Sequence, residues 1–429
     1  MGAGQSAAQF IEAARGAGHV GRLTLIGDEL PLPYQRPPLS KEYLAGARSA
    51  DWLSYREPHF YSRHDVATHL GRRVAAIDRA RQQVQLDDGT AVEYDALCLA
   101  TGTRVRRLPE TVVAAGDVHY LRTIADADVL RAQLPSARRV VIVGGGFIGL
   151  EVAAVLSRLG HEVVVLEVAP RLLPRVAAPE LSAFLYRQHA AHGVRIVCGA
   201  SVVSIQRQRH PDKSDALLVK TANGDDWPAD MVIAGIGILP NEELAAAAKL
   251  VCDDGIVVDE TACTSDPNIV AAGDCTRHPN DIVGRALRLE TVHNAVEQAK
   301  VAAQTLCGRV SRYAQTPWVW SDQFGFRLHV VGQIDGYDSH VIRGDPDHGK
   351  FAVCYFRQGR FIALHAVNRP AEFAAARRLL NARAELTPEQ AADTDFNLAG
   401  AAQPARRLEF ARPWPTRKRS AAILAERPS

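Results

Sequence analysis

The sequence predicts an α/β fold: two Rossmann-like dinucleotide-binding units followed by a smaller α+β domain. Three observations predict it. Val140-Val141-Ile142-Val143 leads into Gly144-Gly145-Gly146-Phe147-Ile148-Gly149, then an apolar helix pattern and a second strand closing on Glu167. At the start of the chain Gly2-Ala3-Gly4-Gln5-Ser6-Ala7 precedes a helix pattern to about Ala17, a strand over residues 23–26, and Asp28-Glu29. From Pro317 the composition shifts to aromatics and alternating strands, followed by a helix over residues 371–380.

The stretch from Val140 to Glu167 justifies the first of these elements most fully. Its β-branched run is short and unalternated, as a parallel strand buried on both faces should be. Gly144 makes the tight turn, Gly146 lets the backbone approach a pyrophosphate, and Gly149 lets the helix lie close on the strand. The helix N-terminus then offers free N–H groups to phosphate oxygens. Glu167 ends the second strand, where a carboxylate can accept hydrogen bonds from both hydroxyls of a ribose and repel a 2′-phosphate.

The opening G-x-G-x-x-A is the other common form of this fingerprint, with Gly2, Gly4, Ser6 and Ala7 in the turn and Asp28 and Glu29 at the end of its second strand. Two fingerprints on one chain point to two dinucleotides, most economically a bound flavin and a diffusing nicotinamide. Only Met1 precedes Gly2, although such a glycine should follow a buried strand, so the first strand of this unit is expected to be truncated.

Next comes Pro33-Tyr34-Gln35-Arg36-Pro37-Pro38-Leu39-Ser40-Lys41, a stiff segment that should enter a helix capped by Ser40. Lys41 is the one lysine before Lys213, arginine filling nearly every other basic position. An ammonium is a compact point charge and a guanidinium a broad fork, so a lysine kept on a rigid turn points to a tight pocket. Asp87-Asp88-Gly89-Thr90 reads as a hairpin turn. The strand at 269–272 ends on Gly273-Asp274, which projects a carboxylate from the edge where open α/β sheets bind ligands. The segment from Arg195 to Asp230 reads as a strand meander around Asn223-Gly224.

Totals set the outer limits. With 47% apolar and 23% charged residues and a net charge of +2, the chain argues against general nucleic-acid binding. No apolar run approaches the ~20 residues of a membrane span. The opening residues do not read as a signal peptide, and the 7 cysteines are dispersed, without C-x-x-C or metal-ligand spacing. A cytoplasmic protein with reduced thiols and no metal site is expected.

From Gly2 to about Arg407 the sequence resembles the flavoprotein ferredoxin reductases that serve bacterial cytochromes P450 and aromatic-ring dioxygenases. The resemblance rests on both fingerprints, on the segment from Arg36 to Lys41, on Ala100-Thr101-Gly102, on Gly273-Asp274, and on Trp318-Val319-Trp320-Ser321-Asp322-Gln323. It implies an FAD-binding domain built from residues 1–108 and 236–316, an NAD-binding domain at 109–235, and a C-terminal interface domain at 317–405. A basic tail at 406–429 matches nothing. Lys41 and Glu151 would pair near the flavin ring and tune it. Arg36, Val74, Arg122, Asp274, Val292 and Trp320 would also contact FAD, while Ile148, Arg175 and Gly237 would join the second fingerprint in contacting the nicotinamide nucleotide.

The implied function is transfer of a hydride from NADH to FAD, with electrons passed singly to a small ferredoxin, expected to carry a 2Fe–2S cluster, by a monomer or weak dimer. A thiol or peroxide reductase on the same scaffold would need a cysteine beside the flavin, where Pro37-Pro38-Leu39-Ser40 stands instead. A flavin-bound interaction protein like the apoptosis-inducing factors stays open at this point.

Overall fold

The structure is a computed structural model that describes residues 1–113, 116–209 and 215–401. The basic tail at 406–429 therefore lies outside the described residues, as does the end of the interface domain.

The second fingerprint sits in a four-stranded parallel sheet, ordered Arg195–Cys198, Glu162–Glu167, Arg139–Val143, Met231–Ala234. Val140, Val141 and Ile142 in its centre are at most 1% exposed, each contributing about 1.5–3 kcal/mol of hydrophobic burial. Arg195–Cys198 belongs to this parallel sheet and not to the meander. A helix, Pro179–Ala191, and a short turn carry the chain back beside Glu162–Glu167, which is the geometry of a β-α-β crossover. The meander is confined to Val202–Arg209, Asp215–Thr221 and Asp226–Ala229, with the turn at Asn223-Gly224 in its second connection.

In the N-terminal region the helix Gln5–Gly16 leads to Leu23–Gly27, which pairs in parallel with Val66–Leu70. Leu97–Leu99 pairs in parallel with Ile269–Ala271. Met1 and Gly2 lie between these two pairs: Ala100 N donates to Met1 O at 2.8 Å, and Gly2 N donates to Ile26 O at 2.8 Å. The chain enters and leaves the nucleotide module over paired strands, Thr103–Val105 against Ile238–Pro240. The helix Gln5–Gly16 packs along Val292–Leu306, whose N-cap Thr291 accepts from Asn294 N.

Residues 318–401 form a five-stranded antiparallel sheet, ordered Trp318–Gln323, Phe326–Gly332, Arg360–Val367, Lys350–Arg357, Ser339–Asp345, with the helix Pro370–Ala382 on it. One core joins this sheet to the nucleotide module through Phe184, Phe326 and Phe351, and Tyr355 Oη accepts from Ala178 N at 3.2 Å. Among the described residues no helix is long and apolar enough to cross a membrane.

Ser40 departs from its expected role. Pro37–Ser40 is a single 3₁₀ turn followed by further turns, with the two prolines in its first positions, where a missing N–H is tolerated. The Ser40 hydroxyl turns inward instead of capping.

Candidate active site

A single cleft of about 2010 Å³ runs between the three parts of the chain. Both fingerprints open onto it, and the chemistry of their glycines differs by position. Gly144 sits at φ +110, and a Cβ there would lie 2.4 Å from Gly235 O; on Gly149 it would lie 2.1 Å from Gly144 O. These two glycines are demanded by backbone packing. Around Gly4 and Gly146, by contrast, a Cβ would meet nothing within 4 Å. The middle glycine of each turn thus faces open space at a helix N-terminus, which is the cradle a pyrophosphate needs.

The cleft wall includes Gly2, Gly4, Ser6, Asp28, Glu29, Arg36, Lys41, Val74, Arg122, Asp274, Val292 and Trp320. From the nucleotide module and its exit come Gly144, Gly146, Ile148, Gly149, Glu151, Glu167, Arg175 and Gly237. Ala7 is not on the wall. It is buried with Ile11, Leu25 and Tyr61, where its small side chain serves helix–strand packing.

Lys41 and Glu151 meet although 110 positions apart: the Lys41 ammonium donates to Glu151 Oε2 at 2.6 Å and to Pro37 O at 3.2 Å. Glu151 is 3% exposed on the helix Phe147–Arg158. Two hydroxyls also donate to it, Ser40 Oγ at 2.5 Å and Ser321 Oγ at 2.6 Å. Neither serine reads from the sequence as a partner of Glu151: Ser40 reads as a cap and Ser321 as part of a strand motif.

On the opposite side Arg36 donates to Glu29 Oε1 at 2.5 Å and to Arg122 O at 2.8 Å, and Tyr34 Oη donates to Glu29 Oε2 at 2.5 Å. Arg122 donates to Thr103 O at 3.0 Å and reaches Asp274 Oδ2 at 3.5 Å. Burial lifts the Asp274 carboxyl above the usual carboxylate range, with Arg122 pulling the other way. Glu290, unmarked by any motif, also lines the cleft and is raised by burial. Glu167 accepts from Gly145 N at 2.6 Å and Ala169 N at 2.8 Å, while Arg175 stands exposed at the rim.

The arrangement fits a flavin and a nicotinamide nucleotide: two open cradles at helix N-termini, an acid at the end of the second strand of each fingerprint unit, and a buried ion pair on the same wall. No cysteine lines the cleft, and among the described residues no group of three or more His, Cys, Asp or Glu could hold a metal ion.

The comparisons agree with this geometry. Residues 1–299 match the family described as pyridine nucleotide-disulphide oxidoreductase, and residues 318–402 match the reductase C-terminal family. Putidaredoxin reductase of Pseudomonas putida is 42% identical over 401 residues, covering 93% of this chain and 94% of that protein. Rhodocoxin reductase of Rhodococcus erythropolis is 42% identical over 400 residues, covering 93% and 92%. Among solved structures, the ferredoxin reductase for the CYP199A2 system of Rhodopseudomonas palustris superimposes with a TM-score of 0.90 at 40% identity, covering 94% of this chain and 98% of that one. The reductase of the covalent putidaredoxin reductase–putidaredoxin complex does so with a TM-score of 0.89 at 42% identity, covering 93% and 97%.

Proposed function

The chain belongs to the pyridine nucleotide-disulphide oxidoreductase family, in its ferredoxin reductase branch, and from that premise we propose that it oxidises NADH and delivers electrons one at a time to a small 2Fe–2S ferredoxin, using FAD. The observation that carries the reading is the shared cleft, with Gly4 and Gly146 both facing open space and the Lys41–Glu151 pair on its wall.

FAD, when bound, supplies the chemistry, since it can accept a hydride and give up single electrons. The chain's residues bind, orient and bias. Gly2, Gly4 and Ser6 would hold the flavin's pyrophosphate and Glu29 its adenosine ribose, with Asp28 beside it. Arg36, Asp274, Val74, Arg122, Val292 and Trp320 would hold the rest. Gly144, Gly146, Ile148 and Gly149 would seat the second pyrophosphate, with Arg175 and Gly237 flanking the nucleotide. Glu167 would accept from its ribose hydroxyls and select NADH, because a carboxylate there repels a 2′-phosphate. Lys41, fixed by Glu151, would present a compact positive charge to the flavin and favour its taking up negative charge. The free cysteines suit a cytoplasmic setting.

Purification tests the reading directly. The protein should be yellow, release FAD on denaturation, and show a higher kcat/KM with NADH than with NADPH. Equal values for the two nucleotides would remove Glu167 from its role, and a colourless protein that takes up no added FAD would sink the proposal.

A further inference from the structure

Behind Lys41 and Glu151 a buried polar chain continues away from the cleft. Ser321 Oγ donates to Glu151 Oε1 at 2.6 Å, Gln323 Nε2 donates to Ser321 Oγ at 2.9 Å, and His189 Nε2 lies 2.8 Å from Gln323 Oε1. Ser321, Gln323 and His189 are 0%, 1% and 0% exposed, and none of them touches the cleft. They come from two parts of the chain. Ser321 and Gln323 share one face of the C-terminal domain's edge strand Trp318–Gln323, and His189 lies in the last turn of Pro179–Ala191 in the nucleotide module.

The polarity of this chain has one consistent direction. Burial pushes His189 down to about 4, so its ring is neutral and one nitrogen donates while the other does not. With Nε2–H donating to the Gln323 carbonyl, the amide NH₂ is left for Ser321 Oγ, and the single serine proton is left for Glu151. Turning the amide over would ask that one proton to serve both the amide oxygen and the carboxylate. Every member therefore donates toward Glu151. Ser321 fixes Oε1 while Ser40 and Lys41 fix Oε2, so the carboxylate has no freedom to rotate. A polar run of this kind costs desolvation that an apolar core would avoid, which fits a specifying role better than a stabilising one.

We propose that Ser321 and Gln323, backed by His189, are positioning residues through which the C-terminal domain holds Glu151 and so sets the place of the Lys41 ammonium in the cleft. The inference rests on the flavin reading of that cleft. It makes the third domain part of the electrostatic machinery and not only a cover.

The test uses the flavin-loaded full chain with Ser321→Ala, Gln323→Leu and Ser321→Thr. The readouts are the flavin midpoint potential by spectroelectrochemistry, the Glu carboxylate bands by isotope-edited infrared, and the rate of flavin bleaching at saturating NADH. Losing one charge-assisted donor should slow bleaching about tenfold in Ser321→Ala and about threefold in Gln323→Leu. In both variants the potential and carboxylate bands should shift and the KM for NADH should stay within about twofold. Ser321→Thr, which keeps the hydroxyl, should restore the potential. Should Ser321→Ala not accumulate, Gln323→Leu carries the same test at nearly constant volume. Variants that only melt earlier, with potential, bands and bleaching rate unchanged, overturn the inference. A protein that binds no flavin overturns the functional reading instead.

Discussion

The two dinucleotide modules carry the same motif and treat its terminal acid differently. Glu29, in the first module, has both oxygens taken by side chains: Arg36 on one, Tyr34 on the other, and Arg36 in turn is tied to the backbone of Arg122. Glu167, in the second, is held by two backbone N–H groups of its own module, Gly145 and Ala169, and no basic side chain pairs with it among the described residues. The first acid is embedded in a network spanning three segments of chain. The second also has one donor on each oxygen, but both are backbone groups of its own module and neither carries a charge. On our proposal the first module retains FAD and the second exchanges NADH.

Arg36→Ala should strain this comparison hardest. It leaves Glu29 without its cation in a partly buried site, and the cost of breaking such a pair is about 3 kcal/mol or more, so flavin affinity should fall about a hundredfold. Glu167→Ala should leave flavin content unchanged and raise the KM for NADH about tenfold, the loss of two exchangeable hydrogen bonds. Equilibrium dialysis and steady-state kinetics read the two. If Arg36→Ala keeps its flavin through dialysis as the unmodified protein does, the difference between the modules is not one of retention.

Lys41→Met comes next. It should slow flavin bleaching by NADH about tenfold while changing flavin affinity by less than about threefold, because the ammonium is held beside Glu151 and not at a pyrophosphate cradle. Stopped-flow bleaching at an unchanged rate would refute that placement.

The smallest effect, per residue, concerns acid. Burial pushes His278 in the flavin-side module down to about 4, as it does His189, and pushes His365 down to about 3. A histidine depressed in the folded state takes up a proton on unfolding, so its contribution is present above about pH 6.5 and lost as pH falls toward the folded value. Each should remove roughly 0.5–1 kcal/mol between pH 7 and 6. Asp274 and Glu290, raised by burial, act with the opposite sign. His189 and His365 lie at the seam between the nucleotide module and the C-terminal domain, so hydrogen exchange should show that seam opening first. Stability flat from pH 7 to 5 in urea titrations would contradict this.

Much of the architecture was legible in the residues because period and glycine spacing carry it. Val140–Val143, the two fingerprints and Gly273-Asp274 each announce a strand end or a turn by local chemistry alone, and the cleft gathers them. What the sequence hid is what depends on long-range approach. Ser40 read as a cap, yet its hydroxyl finds a carboxylate 111 positions away. Ser321 and Gln323 read as part of a strand motif, and only the docking of the C-terminal domain shows their target. Ala7 read as a contact because the motif includes it, while its small side chain serves packing. Arg195–Cys198 read as meander because a four-residue strand carries no sign of which sheet it will join.

The account stands most directly on what the reduced protein does next. Flavin-loaded protein, bleached anaerobically with one equivalent of NADH and mixed in a stopped-flow instrument with an oxidised 2Fe–2S ferredoxin, should recover its yellow colour as the ferredoxin is reduced. Two ferredoxins should be consumed per flavin, and added salt should slow the reaction, since exposed charges are screened beyond about 8–10 Å. A flavin that NADH does not bleach, or one that stays bleached in the presence of every such ferredoxin tried, would contradict it.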